Sequence, residues 1–250
     1  MSKNNIQAYG QLYSEYYDAT EKYASEEEVD FFSSFIEHNP GRVLEAMSGS
    51  GRLQIPLMQR GYVVDGADNS HDMLERCRQR CKVLGIEPKL YEQSLENLKI
   101  PYKYSTVIIA FGSLQLIADE VIVLQALKNL HDHVLDGGNL LIDIFVPDVT
   151  IDEYSVSTAR LDERNVIRVT KRHVFNVEKK LANTFCLYEL VVNGIVLQQE
   201  NALVEIVWRS DNEWKELLES AGFKVIKIYD ETFQKSEISR IIHAMATIKN

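Results

Sequence analysis

The stretch Val43-Leu44-Glu45-Ala46-Met47-Ser48-Gly49-Ser50-Gly51 sets an acid in a short apolar run and follows it with a turn of small residues. Between a strand and a helix, such a turn lies where open α/β sheets bind ligands, at the carboxyl edge. Glycines there let the backbone approach a ligand with no Cβ in the way. Asp68 ends the next apolar run, twenty-three residues after Glu45, a spacing at which an acid accepts both hydroxyls of a ribose. Strand, turn, helix, strand and acid together fit an adenosine-containing cofactor. The G-x-G-x-x-G of a dinucleotide site is incomplete, because Gln54 stands at the third glycine position. Glu45 would also oppose a pyrophosphate of the kind helix N-termini hold, whereas it suits an ammonium or a sulfonium. No G-x-x-x-x-G-K-[ST] occurs, which excludes a P-loop. S-adenosylmethionine (SAM) has a ribose, cationic groups and no phosphate, and matches on all three counts.

The elements needed to position these residues follow from periodicity and punctuation. Residues 3–39 are polar with apolar residues at helical intervals (Val29, Phe32, Ile36), which predicts one or two helices ended by Asn39-Pro40-Gly41. Strands are expected at 42–46, 62–67, 89–91 and 106–110, the last apolar throughout like a strand buried on both faces. Helices are expected from the turn to about Arg60, over 70–84 with Ser70 as N-cap, and over 119–133. Asp136-Gly137-Gly138 reads as a turn before a fifth strand at 140–146. This alternation implies parallel crossovers and a doubly wound sheet. Between Asp148 and Trp208 the chain becomes rich in Val, Thr, Tyr and Phe, with a hairpin signal at Asn193-Gly194, and reads as an antiparallel β insertion. A helix at 212–220 and strands at 223–229 and 241–248 complete the pattern.

On these residues the chain resembles the class I SAM-dependent methyltransferases, from about Pro40 to the end. Glu45 to Gly51 resembles their first motif, Asp68 the acid after strand two, and Asn69 to Leu74 the segment that follows it. Residues 91–98 resemble the loop after strand three, Asp136-Gly137-Gly138 the loop before strand five, and Gly222-Phe223 the start of the reversed terminal hairpin. The resemblance implies an α/β, doubly wound, Rossmann-like seven-stranded sheet with a reversed terminal β-hairpin, plus N-terminal helices and the insertion. It divides the chain into a helical cap over 1–39 and a methyltransferase domain over 40–250, with the insertion at about 148–208. It implies SAM as cofactor, S-adenosylhomocysteine as product, and a cofactor site at Tyr17, Glu45, Ala46, Met47, Ser48, Gly49, Gly51, Asp68, Asn69, Met73, Ser94, Leu95 and Ala110. In that site Met73 would face the adenine, Ser94 would stand where an Asp is usual near the adenine amino group, and Leu95 would offer a backbone N–H. Met47 at the first glycine position, together with the insertion, resembles a small-molecule subgroup. With Met there, the turn is expected to keep a negative φ.

In-line methyl transfer needs positioning and exclusion of water more than a fixed catalytic group, so the catalytic residues stay unassigned. Tyr13, Gln115 and Tyr188 are substrate-side candidates. Ala110-Phe111-Gly112-Ser113 lacks the Asn-Pro-Pro-Tyr of amino-group DNA methyltransferases, no Pro-Cys dipeptide occurs, and no Asp cluster points to a metal. The net charge of −10 argues against nucleic acid and anionic lipid as partners. These exclusions favour N- or O-methylation of a small molecule. The alternatives are a SAM-binding protein without transferase activity and a protein or RNA methyltransferase. Three cysteines among 250 residues, no leader-like apolar region and no bilayer-length run predict a cytoplasmic monomer or homodimer with no membrane association.

Several groups read as structural. Cys77 and Cys81 are packing thiols, His131 and His133 suit a helix C-terminus, and Glu26-Glu27-Glu28 is a solvated helix start. Arg76, Arg78, Arg80 and Lys82 form a solvated flank. Tyr13, Tyr16 and Tyr17 either close over a cofactor or pack the N-terminal helix, and the insertion either covers the acceptor or forms a dimer sheet.

Overall fold

The computed structural model describes residues 10–150, 154–231, 233 and 238–247. In chain order these form α1 (Gln11–Thr20), α2 (Glu26–His38), β1 (Val43–Ala46), α3 (Gln54–Gln59), β2 (Val64–Asp68), α4 (His71–Val83), β3 (Lys89–Glu92), β4 (Tyr104–Ile109), α5 (Glu120–His133) and β5 (Val134–Val146). Strands β6 (Tyr154–Arg160), β7 (Asn165–Asn176), β8 (Leu181–Val192) and β9 (Ile195–Val207) follow, then α6 (Asp211–Ser220), β10 (Phe223–Glu231) and β11 (Ile238–Ala246). The chain divides into two compact units, one of residues 1–22 and 147–208, the other of 23–146 and 209–250. The two helices expected as a cap over 1–39 therefore fall in different units.

The larger unit holds a seven-stranded sheet in the order β10-β11-β5-β4-β1-β2-β3. β1 through β5 run parallel, and β11 joins antiparallel to both β5 and β10. Alternate residues of the central strands feed two cores, as the two-residue strand period requires. Leu44, Val107, Ile109, Leu140, Ile142 and Ile242 pack on one face with Leu127 and Leu130 of α5 and Trp214 and Leu218 of α6. Val43, Ile108, Leu141 and Ile241 pack on the other with Val29, Phe32 and Ile36 of α2. Helix starts are fixed by side chains accepting otherwise orphaned N–H groups. Ser25 caps α2, Ser70 caps α4, Asp119 caps α5, and Ser210 forms a reciprocal capping box with Glu213 on α6. The expected turn at 136–138 is instead part of β5. Its register against β4 jumps from Tyr104↔Val134 to Thr106↔Asn139, so the extra residues bulge from a continuous strand, with Gly137 at φ +71°.

The smaller unit is α1 with an antiparallel sheet in the order β6-β7-β8-β9. Asn193 (φ +49°) and Gly194 (φ +82°) make the two-residue hairpin between β8 and β9, as their sequence predicts. Leu12 of α1 is buried with Ile167, Val169, Cys186, Tyr188 and Ala202 of the sheet. α1 has no side-chain cap of its own. The Glu200 carboxylate of β9 accepts instead from the N–H groups of Leu12 (3.0 Å) and Tyr13 (3.3 Å), and an anion is favoured at that helix end.

Candidate active site

Parallel pairing of β1 with β2 and β4, and of β2 with β3, carries four turns to one edge of the larger sheet. They are the turns at Met47–Gly51, Asp68–Ser70, Gln93–Leu95 and Ala110–Gly112, so the topology gathers the carboxyl-edge residues that the sequence singles out. The first turn is closed by backbone bonds from Ser48 N–H to the Ala67 carbonyl (3.0 Å) and from Gly51 N–H to the Ser48 carbonyl (3.0 Å). Asp68 ties it to the second: one carboxylate oxygen accepts from Gly49 N–H and the other from Ser70 N–H, both at 2.8 Å. Burial raises the Asp68 pKa, and these backbone donors pull it back down. Met73, on the first turn of α4, lies against Gly49, since a Cβ built there would stand 3.1 Å from the Met73 Cε.

Met47 corrects a sequence expectation. Its φ is +60°, so the methionine occupies the left-handed region that a glycine would fill at no cost. Phe111, after β4, is left-handed as well at +60°. Its N–H donates to Asp143 Oδ2 (3.0 Å), and its ring meets Phe145 edge-on at 5.6 Å. Two non-glycine residues in this conformation at one sheet edge mark backbone strain held in place by its surroundings.

Glu45 is 3% exposed and its Oε2 has no hydrogen-bond partner among the described residues. Burial pushes its carboxyl up to about 8, against the pull of Arg52 and the Gln54 backbone N–H and with the push of Glu28 and Asp68. Arg52 is engaged by Glu28: its two terminal nitrogens donate to the two carboxylate oxygens at 2.8 and 2.5 Å. Glu28 therefore departs from the expected solvated helix start. It is 2% exposed, because α2 turns this face toward the Met47–Gly51 turn. The guanidinium also lies over the Phe111 ring, 4.5 Å from its centroid, so one side chain braces both strained turns. Arg80 departs from the solvated flank in the same sense. Its Nη1 donates to the Ser50 carbonyl (2.9 Å) and Oγ (2.8 Å), and its guanidinium covers Tyr23.

Sequence reasoning missed the roles of Glu28 and Arg52. Ser25-x-x-Glu28 reads as an ordinary capping box, and the Ser25 half of it forms, with Glu28 N–H donating to Ser25 Oγ at 3.2 Å. The signal that could have exposed the pair is a cation, Arg52, directly after Gly51 in a turn otherwise made of small and apolar residues.

Ser94 Oγ accepts from Asn97 Nδ2 (3.1 Å), and Leu95 is buried with its carbonyl accepting from Asn129. The Ala110 carbonyl accepts from Ser113 Oγ (2.8 Å), Asn69 is exposed, and Ala46 is buried in the core. Gln115 is 1% exposed and its side-chain amide exchanges two hydrogen bonds with the Phe145 backbone, which commits it to holding the end of β5. Tyr13, Tyr17 and Tyr188 belong to the smaller unit. Tyr188 is 2% exposed between the rings of Tyr13 and Tyr16, at 5.7 and 5.8 Å, and burial raises its hydroxyl pKa; it belongs to the core of that unit. Cys77 and Cys81 pack with Ile55 between α3 and α4. His131 sets its ring edge-on to Phe223 at 5.1 Å, and His133 accepts from the Ile100 N–H. Among the described residues no His, Cys, Asp and Glu cluster could hold a metal, and no helix is long and apolar enough to cross a membrane.

A methyltransferase domain family model matches residues 43–138, the segment that contains all four turns. A relative named "Putative methyltransferase YqeM", from Bacillus subtilis, is 21% identical over 222 residues, covering 87% of this chain and 88% of its own. A Geobacillus protein of similar name is 24% identical over 132 residues, and the chain spans about half of it (53%, against 50% of this chain). Among solved structures, a SAM-bound amino pentose methyltransferase from Micromonospora echinaspora superposes with a TM-score of 0.76 at 15% identity, over 98% of this chain and 100% of that one. A sugar N-methyltransferase from Streptoalloteichus gives 0.78 at 15% identity, over 99% of each. Those structures share the fold. The matched domain and the names of the relatives are those of methyltransferases.

Proposed function

We propose that the chain transfers a methyl group from SAM to a nitrogen or oxygen of a small-molecule acceptor. The observation that carries this reading is the buried Glu45 carboxyl, with an unpartnered oxygen, beside a turn whose Gly49 N–H already donates to Asp68. An anionic ligand would oppose that carboxyl, whereas the ammonium of SAM pairs with it and satisfies the free oxygen. Asp68 would take the ribose hydroxyls, Met73 the adenine face, and the Ser94–Leu95 segment the adenine edge, with the backbone of Ala46, Met47, Ser48, Gly49 and Gly51 around the methionine part. Asn69 and Ala110 would border the cofactor. When bound, SAM supplies an electrophilic methyl on sulfur; the residues of this chain orient it and exclude water. The amino sugar and sugar N-methyltransferase neighbours support an amine acceptor, and the net charge of −10 supports a small one over a nucleic acid. Met47 at the first motif position and the β segment after β5 support the small-molecule subgroup. A second reading, a SAM binder without transferase activity, is favoured by Ser94 in place of the usual acid.

Incubation with methyl-labelled SAM and a metabolite extract, followed by mass spectrometry, is expected to give a labelled small molecule. Binding of SAM without any labelled product or any turnover to S-adenosylhomocysteine would favour the second reading. Asp68→Ala is expected to weaken SAM binding by about 1.5–3 kcal/mol, the worth of hydrogen bonds to a charged group, with the variant still folded by circular dichroism. Unchanged affinity by calorimetry would remove Asp68 from the ribose.

A further inference from the structure

Three carboxylates and one guanidinium meet behind the Met47–Gly51 turn. Glu45, near the end of β1, feels the charges of Arg52 from the turn, Glu28 from α2 and Asp68 from the end of β2, and it lies near Cys77 of α4. Their charges are unequally served. Both Glu28 oxygens are bound by Arg52, and both Asp68 oxygens accept backbone N–H groups. Glu45 keeps an oxygen with no hydrogen-bond partner at 3% exposure. A carboxylate buried in this way, without a cation of its own, is more stable neutral.

Resting on the SAM reading above, we propose that Glu28, by holding Arg52, leaves Glu45 to carry a proton in the free protein, and that binding of the cofactor's α-ammonium expels this proton to solvent. Glu28 thereby acts as a positioning residue for charge. It touches no cofactor atom, but it reserves the Glu45 carboxyl for a cation that the ligand brings. The direction of the Glu45 shift agrees, since burial leads its causes and Glu28 adds to it. In chemical terms the carboxyl O–H bond breaks, the proton leaves to buffer, and the carboxylate pairs with the incoming ammonium.

The test is calorimetric titration of the full chain with SAM, and separately with S-adenosylhomocysteine, at pH 7 in buffers of different ionisation enthalpy. S-adenosylhomocysteine retains the ammonium and lacks the sulfonium. A group at about 8 is roughly nine-tenths protonated at pH 7, so both ligands are expected to release close to one proton per site. In Glu45→Gln the release should vanish. In Glu28→Gln, where Arg52 can neutralise Glu45, it should drop to well under half. Infrared difference spectra of the wild-type protein give a second readout that does not depend on any variant folding: a protonated carboxyl band should disappear on ligand binding. Binding of both ligands with no proton release and no band loss would overturn the proposal while leaving the SAM reading intact. Failure of either ligand to bind at all would overturn that reading, and the proposal with it. Release with SAM but none with S-adenosylhomocysteine would also overturn the proposal, because the sulfonium would then be the trigger.

Discussion

Arg52→Met is expected to lower the free energy of unfolding by about 3–5 kcal/mol, the usual cost of stripping one partner from a buried ion pair. Arg52 is 5% exposed and Glu28 2% exposed, and two hydrogen bonds join them at 2.8 and 2.5 Å. Methionine keeps the apolar stem, so the loss falls on the charge and its hydrogen bonds more than on volume. What remains is a buried Glu28 carboxylate deprived of the guanidinium that neutralised it. The Phe111 ring loses its cationic cover as well, worth about 0.5–2 kcal/mol more. Urea denaturation at pH 7 measures the effect. The double variant Glu28→Leu with Arg52→Met is expected to recover most of the loss, because a well-packed apolar pair often replaces a buried ion pair without penalty. A single-variant loss below about 1 kcal/mol would mean that Glu28 simply turns to water, and that the pair is no brace for the two strained turns.

This pair also shows where the sequence stops being readable. The strands of the larger sheet are legible because β1 and β4 are mostly apolar runs buried on both faces, and the helices because Ser70, Asp119 and Ser210 cap them. The residues at the carboxyl edge are legible for the same reason, since a strand that ends at Ala46 or Asp68 fixes which turn comes next. Glu28 is not legible, because its burial depends on which face α2 turns to a segment twenty-four residues away. Nothing local distinguishes it from its neighbours Glu26 and Glu27. The left-handed Met47 was hidden by propensity: a single strained residue costs roughly 1–2 kcal/mol, which a packed surrounding can impose. The packing of Tyr188 is hidden for a related reason. Strand periodicity tells which face a residue occupies but not what covers that face, and here Tyr13 and Tyr16 of α1 do. The bulge in β5 reads as a turn in the sequence, because Asp136-Gly137-Gly138 has turn composition and only the register against β4 shows the strand continuing.

Gly49→Val is expected to weaken SAM binding by at least about 100-fold, or roughly 3 kcal/mol. Gly49 sits at φ +54°, where a β-branched residue is a steric outlier. Even a Cβ there would come within 3.1 Å of the Met73 Cε, so the larger side chain must push Met73 from its place or turn the peptide over. Turning the peptide withdraws the Gly49 N–H from Asp68, the 2.8 Å bond that joins the two turns. Either adjustment disturbs groups assigned to the cofactor. Strain alone could also weaken binding indirectly by loosening the fold, and Gly85→Val separates the two effects. Gly85 is left-handed too, at φ +68°, but a Cβ there meets nothing within 4 Å. Both variants should therefore lose about 1–2 kcal/mol of stability from the backbone, whereas only Gly49→Val should lose SAM affinity. Calorimetric titration and thermal unfolding of the two proteins, run in parallel, give the comparison. Equal affinities in the two variants would place the cofactor away from the Met47–Gly51 turn, and with it the role assigned to Glu45.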